Sequence, residues 1–234
     1  MRAPSLKRII IITVCLILSY PAALFAADTY EELNARIKDA SLVIQEFSKS
    51  PDVSAPKDLL KNAAAVAVFP SVYKGAFIIG AQYGQGVVCS YNKQTGQWSA
   101  PAFFGIGGGS VGFQIGGEAV DLILVITNQR GLQSLLKGKT TLGADVSVAA
   151  GPVGREARAE TDVLLKAEIL SYSRAKGFFA GISLKGAVIS ANNEANNVFY
   201  GKPLFAQEIL LEQRVGPKGA GIDLINALEH FSGK

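Results

Sequence analysis

Gly107-Gly-Gly-Ser-Val-Gly-Phe-Gln-Ile-Gly-Gly-Glu-Ala-Val-Asp-Leu-Ile-Leu-Val-Ile-Thr127 decides the reading of the fold. Its first half formally contains G-x-G-x-x-G, from Gly107 to Gly112. A dinucleotide site needs a helix directly after that motif, so that the helix N-terminus faces the pyrophosphate. Here Val111, Phe113 and Ile115 alternate with Gly112, Gln114 and Gly116, which is the period of a strand. No acidic residue follows at the ribose-reading distance. The glycines therefore read as a turn between curled strands. Asp121–Thr127 then runs apolar from Leu122 to Ile126, as a strand covered on both faces does.

Strand grammar extends in both directions from this stretch. Upstream, Ala64–Phe69 is a short apolar run closed by Pro70, and Gly75–Gln82, Tyr83–Tyr91 and Gln97–Phe104 read as three more strands, with Asn92–Gly96 as a hairpin loop. Downstream, Asn128 caps a helix over about Arg130–Lys137. Leu142–Ala149, Ala157–Asp162, Lys166–Ser173, Phe178–Lys185 and Ala187–Ser190 continue as strands, and Asn193–Tyr200, Pro203–Leu211 and Gly221–Phe231 as helices. Near the N-terminus Thr29-x-x-Glu32 is a capping-box pattern. Behind it Tyr30, Leu33, Ile37, Ala40, Ile44 and Phe47 recur at helical spacing until the Ser50-Pro51 step, and Pro56 opens a short helix through Asn62. Twelve of the 25 glycines lie between Gly75 and Gly117, where they mark bulges, sharp coiling or close backbone approach. The expected fold is α+β: a large, strongly curled, mostly antiparallel, barrel-like sheet flanked by N- and C-terminal helices. Residues 63–234 form one globular unit with a helical segment at 27–62, since no low-complexity stretch or fixed-period repeat divides them.

Residues 1–26 read as a secretory signal peptide. Arg2, Lys7 and Arg8 precede the uncharged run from Ile9 to Ser19, Pro21 breaks that run, and the small residues around Ala26 and Ala27 offer a cleavage site. An uncleaved anchor is the competing reading, because Ile9 to Ala27 just reaches spanning length. Cleavage leaves 20 Lys+Arg against 19 Asp+Glu, so a net charge of +4 becomes +1. That total gives no long-range pull on nucleic acid. Cys89 is then a lone cysteine without an internal disulfide partner.

The chemistry-bearing residues are few. One histidine, His230, makes His-based catalysis and multi-His metal sites poor readings, and neither a metal nor a cofactor is expected. Ser134-Leu-Leu-Lys137 matches S-x-x-K but lacks the accompanying S-D-N and K-T-G elements. Basic residues gather in one stretch, among them Arg130, Lys137, Lys139, Arg155, Arg158, Lys166, Arg174, Lys176 and Lys185, interleaved with Glu156, Glu160, Asp162 and Glu168. They read as a self-neutralised surface or as a lipid-phosphate clamp. Phe103-Phe104 and Phe178-Phe179 place neighbouring rings on opposite strand faces. Either both faces are covered, or one ring of each pair is exposed for lipid or partner contact.

Many separate segments together resemble the SYLF domain: Ala67-Val-Phe-Pro70 with Lys74-Gly75, Trp98-Ser-Ala-Pro-Ala-Phe103, Gly107 to Gly116, Asp121-Leu-Ile-Leu-Val125, Leu142 to Gly154, Ala167-Glu-Ile-Leu-Ser-Tyr-Ser173, Gly177-Phe-Phe-Ala-Gly-Ile-Ser183 and Tyr200-Gly201. They fall in the family's order from about Asp58 to Gly201. The resemblance implies lipid binding, since eukaryotic SYLF proteins associate with phosphoinositide membranes and with cortical actin. Bacterial members are typically secreted or envelope proteins, and the signal segment here is similar to theirs. The N-terminal helix carries Glu31, Glu32, Asp39 and Glu46 against Arg36 and Lys38, a balance that an anionic lipid surface repels.

The expectation is a non-enzymatic, exported lipid-binding domain of a bacterial cell envelope, in the periplasm or otherwise exported. Its partner is a phospholipid or other membrane amphiphile, not nucleic acid, and actin is an unlikely partner for an exported chain. Lys74, Arg130, Lys137 and Lys139 are the head-group candidates, and Phe104 and Phe179 the apolar ones. The rivals are an envelope scaffold that binds another protein, and a lipid-acting hydrolase using Ser110 or Ser134.

Overall fold

The computed structural model describes residues 28–50, 61–76, 80–110, 116–153, 167–175 and 177–233. The apolar run at 122–126 belongs to β5 (Gly116–Ile126), which pairs antiparallel with β1 (Ala65–Ala76) on one side and with β8 (Ile169–Ala175) on the other. Its side chains alternate between two cores. Val120, Leu122, Leu124 and Ile126 enter one, and Ile123 and Val125 the other. With both faces covered, no position from Leu122 to Ile126 tolerates a polar residue, which is why the run is unbroken.

Among the described residues ten strands form one curled sheet, eight of them in the order β6-β10-β4-β2-β1-β5-β8-β7. The others on this path are β2 (Gly80–Asn92), β4 (Ala102–Ser110), β6 (Lys139–Thr141), β7 (Val148–Ala150) and β10 (Val188–Ala191). β3 (Gln97–Trp98) adds to β2, and β9 (Phe178–Gly181) to β8. Every pairing between these strands is antiparallel except β7 with β8.

Helices cover both faces. Thr29 caps α1 (Tyr30–Lys49) in a reciprocal box, its own N–H donating to Glu32 at 2.8 Å. Leu33, Ile37, Ile44 and Phe47 of α1 pack with α3 (Asn193–Tyr200) and α5 (Gly221–Ser232) onto Val66, Val68, Val87, Phe103 and Tyr172. On the opposite face α2 (Gln129–Leu135) and α4 (Ala206–Leu210) cover Ala67, Phe69, Phe104 and Leu122. Asn128 caps α2 as expected, accepting from Gly131 N–H at 2.9 Å. Phe103 and Phe104 thus lie in different cores, each 1% exposed.

Several strand boundaries differ from the expectation. Pro70 does not end a strand, because β1 continues to Ala76 through a bulge between Phe69 and Val72. A bulge tolerates proline's missing N–H. Ser71 there has φ 54°, and its N–H donates to Asp121 Oδ1 at 3.0 Å. The bulge drives β1 into β2, so a Cβ on Gly86 would stand 2.1 Å from the Val68 carbonyl oxygen. Gly75–Gln82 is not a strand of its own but straddles the β1–β2 hairpin, where Ala76 pairs with Gly80. Gln97–Phe104 is two strands, β3 and β4, split around Pro101. Gly107–Gly109 is strand interior rather than turn. Gly108, at φ 142°, pairs with Gln82, and a Cβ there would meet the backbone of Gly186 and Ala187 at 3.1–3.2 Å. Leu142–Ala149 is mostly irregular, with β7 beginning at Val148. The expected signal segment, residues 56–60 of the helix expected through Asn62, the strand at 157–162 and residues 111–115 lie outside the described residues, while Lys61 and Asn62 are helical.

Candidate lipid-contact site

The second aromatic pair behaves differently from the first. β8 and β9 form a hairpin in which Arg174 pairs with Phe179 and Ala175 with Phe178. Gly177 in the turn has φ 85°, a left-handed conformation that favours glycine. Strand alternation then sends the two rings apart. Phe179 turns toward α1, 4.8 Å from the Phe47 ring, and is 8% exposed. Phe178 has no such cover and is 77% exposed at the hairpin tip.

The hairpin base is closely packed. A Cβ on Gly151 would lie 2.1 Å from Tyr172 Cζ, and one on Gly181 would lie 2.2 Å from the Gly151 carbonyl oxygen. Backbone therefore stacks directly on the Tyr172 ring. Burial pushes the Tyr172 phenol well above its ordinary range.

Arg174 joins this hairpin to the rest of the molecule. Its Nη1 meets Asp121 Oδ2 of β5 at 3.3 Å and also Glu46 Oε2 of α1, and its Cζ lies 5.8 Å from the Phe179 ring centroid. Glu46, Lys49, Ser50, Arg174, Gly177, Phe178 and Phe179 line a shallow groove of about 330 Å³. An apolar ring at its lip and two cations beside it suit an amphiphile, with a chain end to touch Phe178 and an anionic end to meet Arg174 or Lys49.

The residues singled out in the sequence are not gathered into one site. Phe104 and Phe179, expected as exposed contacts, are both buried, because both sheet faces are covered where they stand. Arg130 projects from the start of α2 with its side chain 87% exposed and its Nε 3.1 Å from Glu168 Oε1. Lys137 and Lys139 are exposed close together, between the end of α2 and β6. Lys74 sits on β1, four places along the sheet from β6, and its side chain lies outside the described part of the structure. Phe178 is the residue the sequence reading missed. Alternation says that the two rings face opposite ways, but only the placement of Phe47 says which one is covered.

Catalytic arrangements find no support among the described residues. Ser134 belongs to α2 on one side of the sheet, and His230 to α5 on the other. The Cys89 thiol is buried and raised far above its ordinary range. No group of three or more His, Cys, Asp or Glu could hold a metal ion, and no helix is long and apolar enough to cross a membrane, among the described residues.

The family model described as "Las17-binding protein actin regulator", Ysc84, matches residues 107–231. The chain is 33% identical to SH3 domain-containing YSC84-like protein 1 of Bos taurus and of Homo sapiens, over 208 residues that cover 86% of this chain and 60% of each relative. It is 34% identical to LAS seventeen-binding protein 3 of Saccharomyces cerevisiae over 205 residues, which are 84% of this chain and 44% of that protein. The chain thus spans about 60% or less of the length of these relatives. On this evidence, and on the α+β fold with its curled antiparallel sheet, the chain belongs to the Ysc84 (SYLF) family.

Proposed function

We propose that this chain is a non-enzymatic domain that binds membrane phospholipid peripherally, and that residues 1–26 export it to a bacterial envelope. The observation that carries the membrane reading is Phe178, a large apolar ring left 77% exposed on the β8–β9 hairpin beside Lys49 and Arg174. Strand alternation turns Phe178 away from the α1 side that covers Phe179, so an apolar ring stands in the open beside two cations. The acidic face of α1 argues against insertion of that helix and for contact through the hairpin. Lys137 and Lys139 lie toward the other end of the strand order and supply a second cationic spot, while Arg130, at the start of α2, is held by Glu168. Lys74 remains a head-group candidate by its place on β1. Vesicle flotation of the chain cut after Ala26 tests the reading. Anionic vesicles at low salt are expected to carry the protein, and Phe178→Ala to lower binding about fivefold, the loss of one partly buried aromatic contact. Absence of flotation on any bacterial lipid extract overturns it.

A second reading is a protein-binding scaffold. It is favoured by Tyr73 and Tyr83, which face each other across β1 and β2 and are 67% and 60% exposed. The family's description as a Las17-binding actin regulator also supports it. Export would keep the chain from cytoplasmic actin, so co-sedimentation with actin filaments and flotation on vesicles separate the two readings.

A further inference from the structure

We infer that Glu46 is an internal stand-in for a lipid phosphate, holding Arg174 until an anionic phospholipid head group displaces it. The inference rests on the membrane reading above and assigns its head-group site. The two carboxylates on Arg174 are not equivalent. Asp121, 20% exposed, is also fixed by the Ser71 N–H, so it belongs to the sheet. Glu46, 45% exposed, projects from α1 at the edge of the groove and can swing into water. Both approach Nη1, whereas a guanidinium carries five donors in a planar fork suited to a phosphate. Lys49 stands three residues after Glu46 on the same helical face and also lines the groove, as does Ser50. With Glu46 rotated away, the groove presents Arg174, Lys49 and a serine hydroxyl to one anion, and Phe178 beside them to its acyl chains. The carboxylate thus keeps an arginine paired in water and releases it only to a stronger, bidentate anion.

The test is calorimetric titration of the chain, as isolated from the producing cell, with monomeric dihexanoyl phosphatidylglycerol. Glu46→Gln is expected to bind about threefold more tightly than the wild type, the range of one partly exposed ion pair removed from competition. Glu31→Gln carries the same charge change about 22 Å away along α1, beyond the screening length, and is expected to leave affinity unchanged. Arg174→Lys keeps the charge but loses the fork, and is expected to lower affinity while circular dichroism confirms its fold. If the wild type binds but Glu46→Gln gains no more than Glu31→Gln, the stand-in role is overturned and the membrane reading survives. If no variant binds, both fall.

Discussion

At the scale of single residues, close approach governs what the core accepts. Tyr172 is fully buried between Phe47 and the Gly151 backbone, and its hydroxyl has no hydrogen-bond partner among the described residues. A buried, unsatisfied hydroxyl costs about 1–3 kcal/mol. Tyr172→Phe is therefore expected to stabilise the domain by about 1 kcal/mol in urea unfolding. A loss of that size would instead reveal an undetected partner. The pH dependence has a definite sign. The folded phenol titrates above its ordinary value near 10, so the native state keeps the proton longer than the unfolded chain. Its contribution is complete below pH 10 and is lost as pH rises above it, and Tyr172→Phe flattens that part of the profile. None of this was legible in the sequence. Tyr172 reads there as one apolar residue among several, and its contact with Gly151 joins segments 21 residues apart. The same holds for Phe178 and Phe179, whose opposite fates depend on a ring supplied by α1.

At the scale of elements, local chemistry was read well and long-range geometry less so. α1 begins at its capping box because Thr29 and Glu32 satisfy each other's backbone donors, a pattern written in four adjacent residues. Thr29→Ala is expected to cost about 1 kcal/mol of stability, measured by thermal or chemical denaturation. A change below about 0.2 kcal/mol would show that tertiary contacts alone hold the helix start. One such contact is visible: Lys218, ahead of α5, lays its ammonium 5.1–5.6 Å from the ring centroids of Tyr30, Phe199 and Tyr200, and Asn34 Oδ1 accepts from Ala220 N–H. The strands were harder to delimit. Pro70 and the glycines at 107–109 carry local signals for breaks and turns, yet both lie inside strands. Proline sits there because a bulge leaves its nitrogen unneeded, and Gly108 because its φ of 142° and the nearby Gly186–Ala187 backbone crowd a Cβ. Those causes lie on partner strands that a single sequence does not identify.

At the scale of the whole molecule, the curled sheet is clad by helices on both faces. Phe103, Phe104 and Phe179 are all absorbed, so the α+β class and the paired cores followed directly from alternation and from the unbroken run at 122–126. The proposed contact surface did not follow, because it consists of what the cladding fails to reach. That remainder includes the β8–β9 tip, with Phe178 at the lip of a groove also lined by Arg174 and Glu46. The central claim is that this tip enters a membrane. Trp98 is the sole tryptophan and is 5% exposed, so a second indole at the tip reports almost unopposed. In Phe178→Trp, adding anionic vesicles is predicted to shift the tip emission to the blue and to protect it from an aqueous quencher. Emission and quenching that stay unchanged, under conditions where the protein co-floats with those vesicles, would contradict the account.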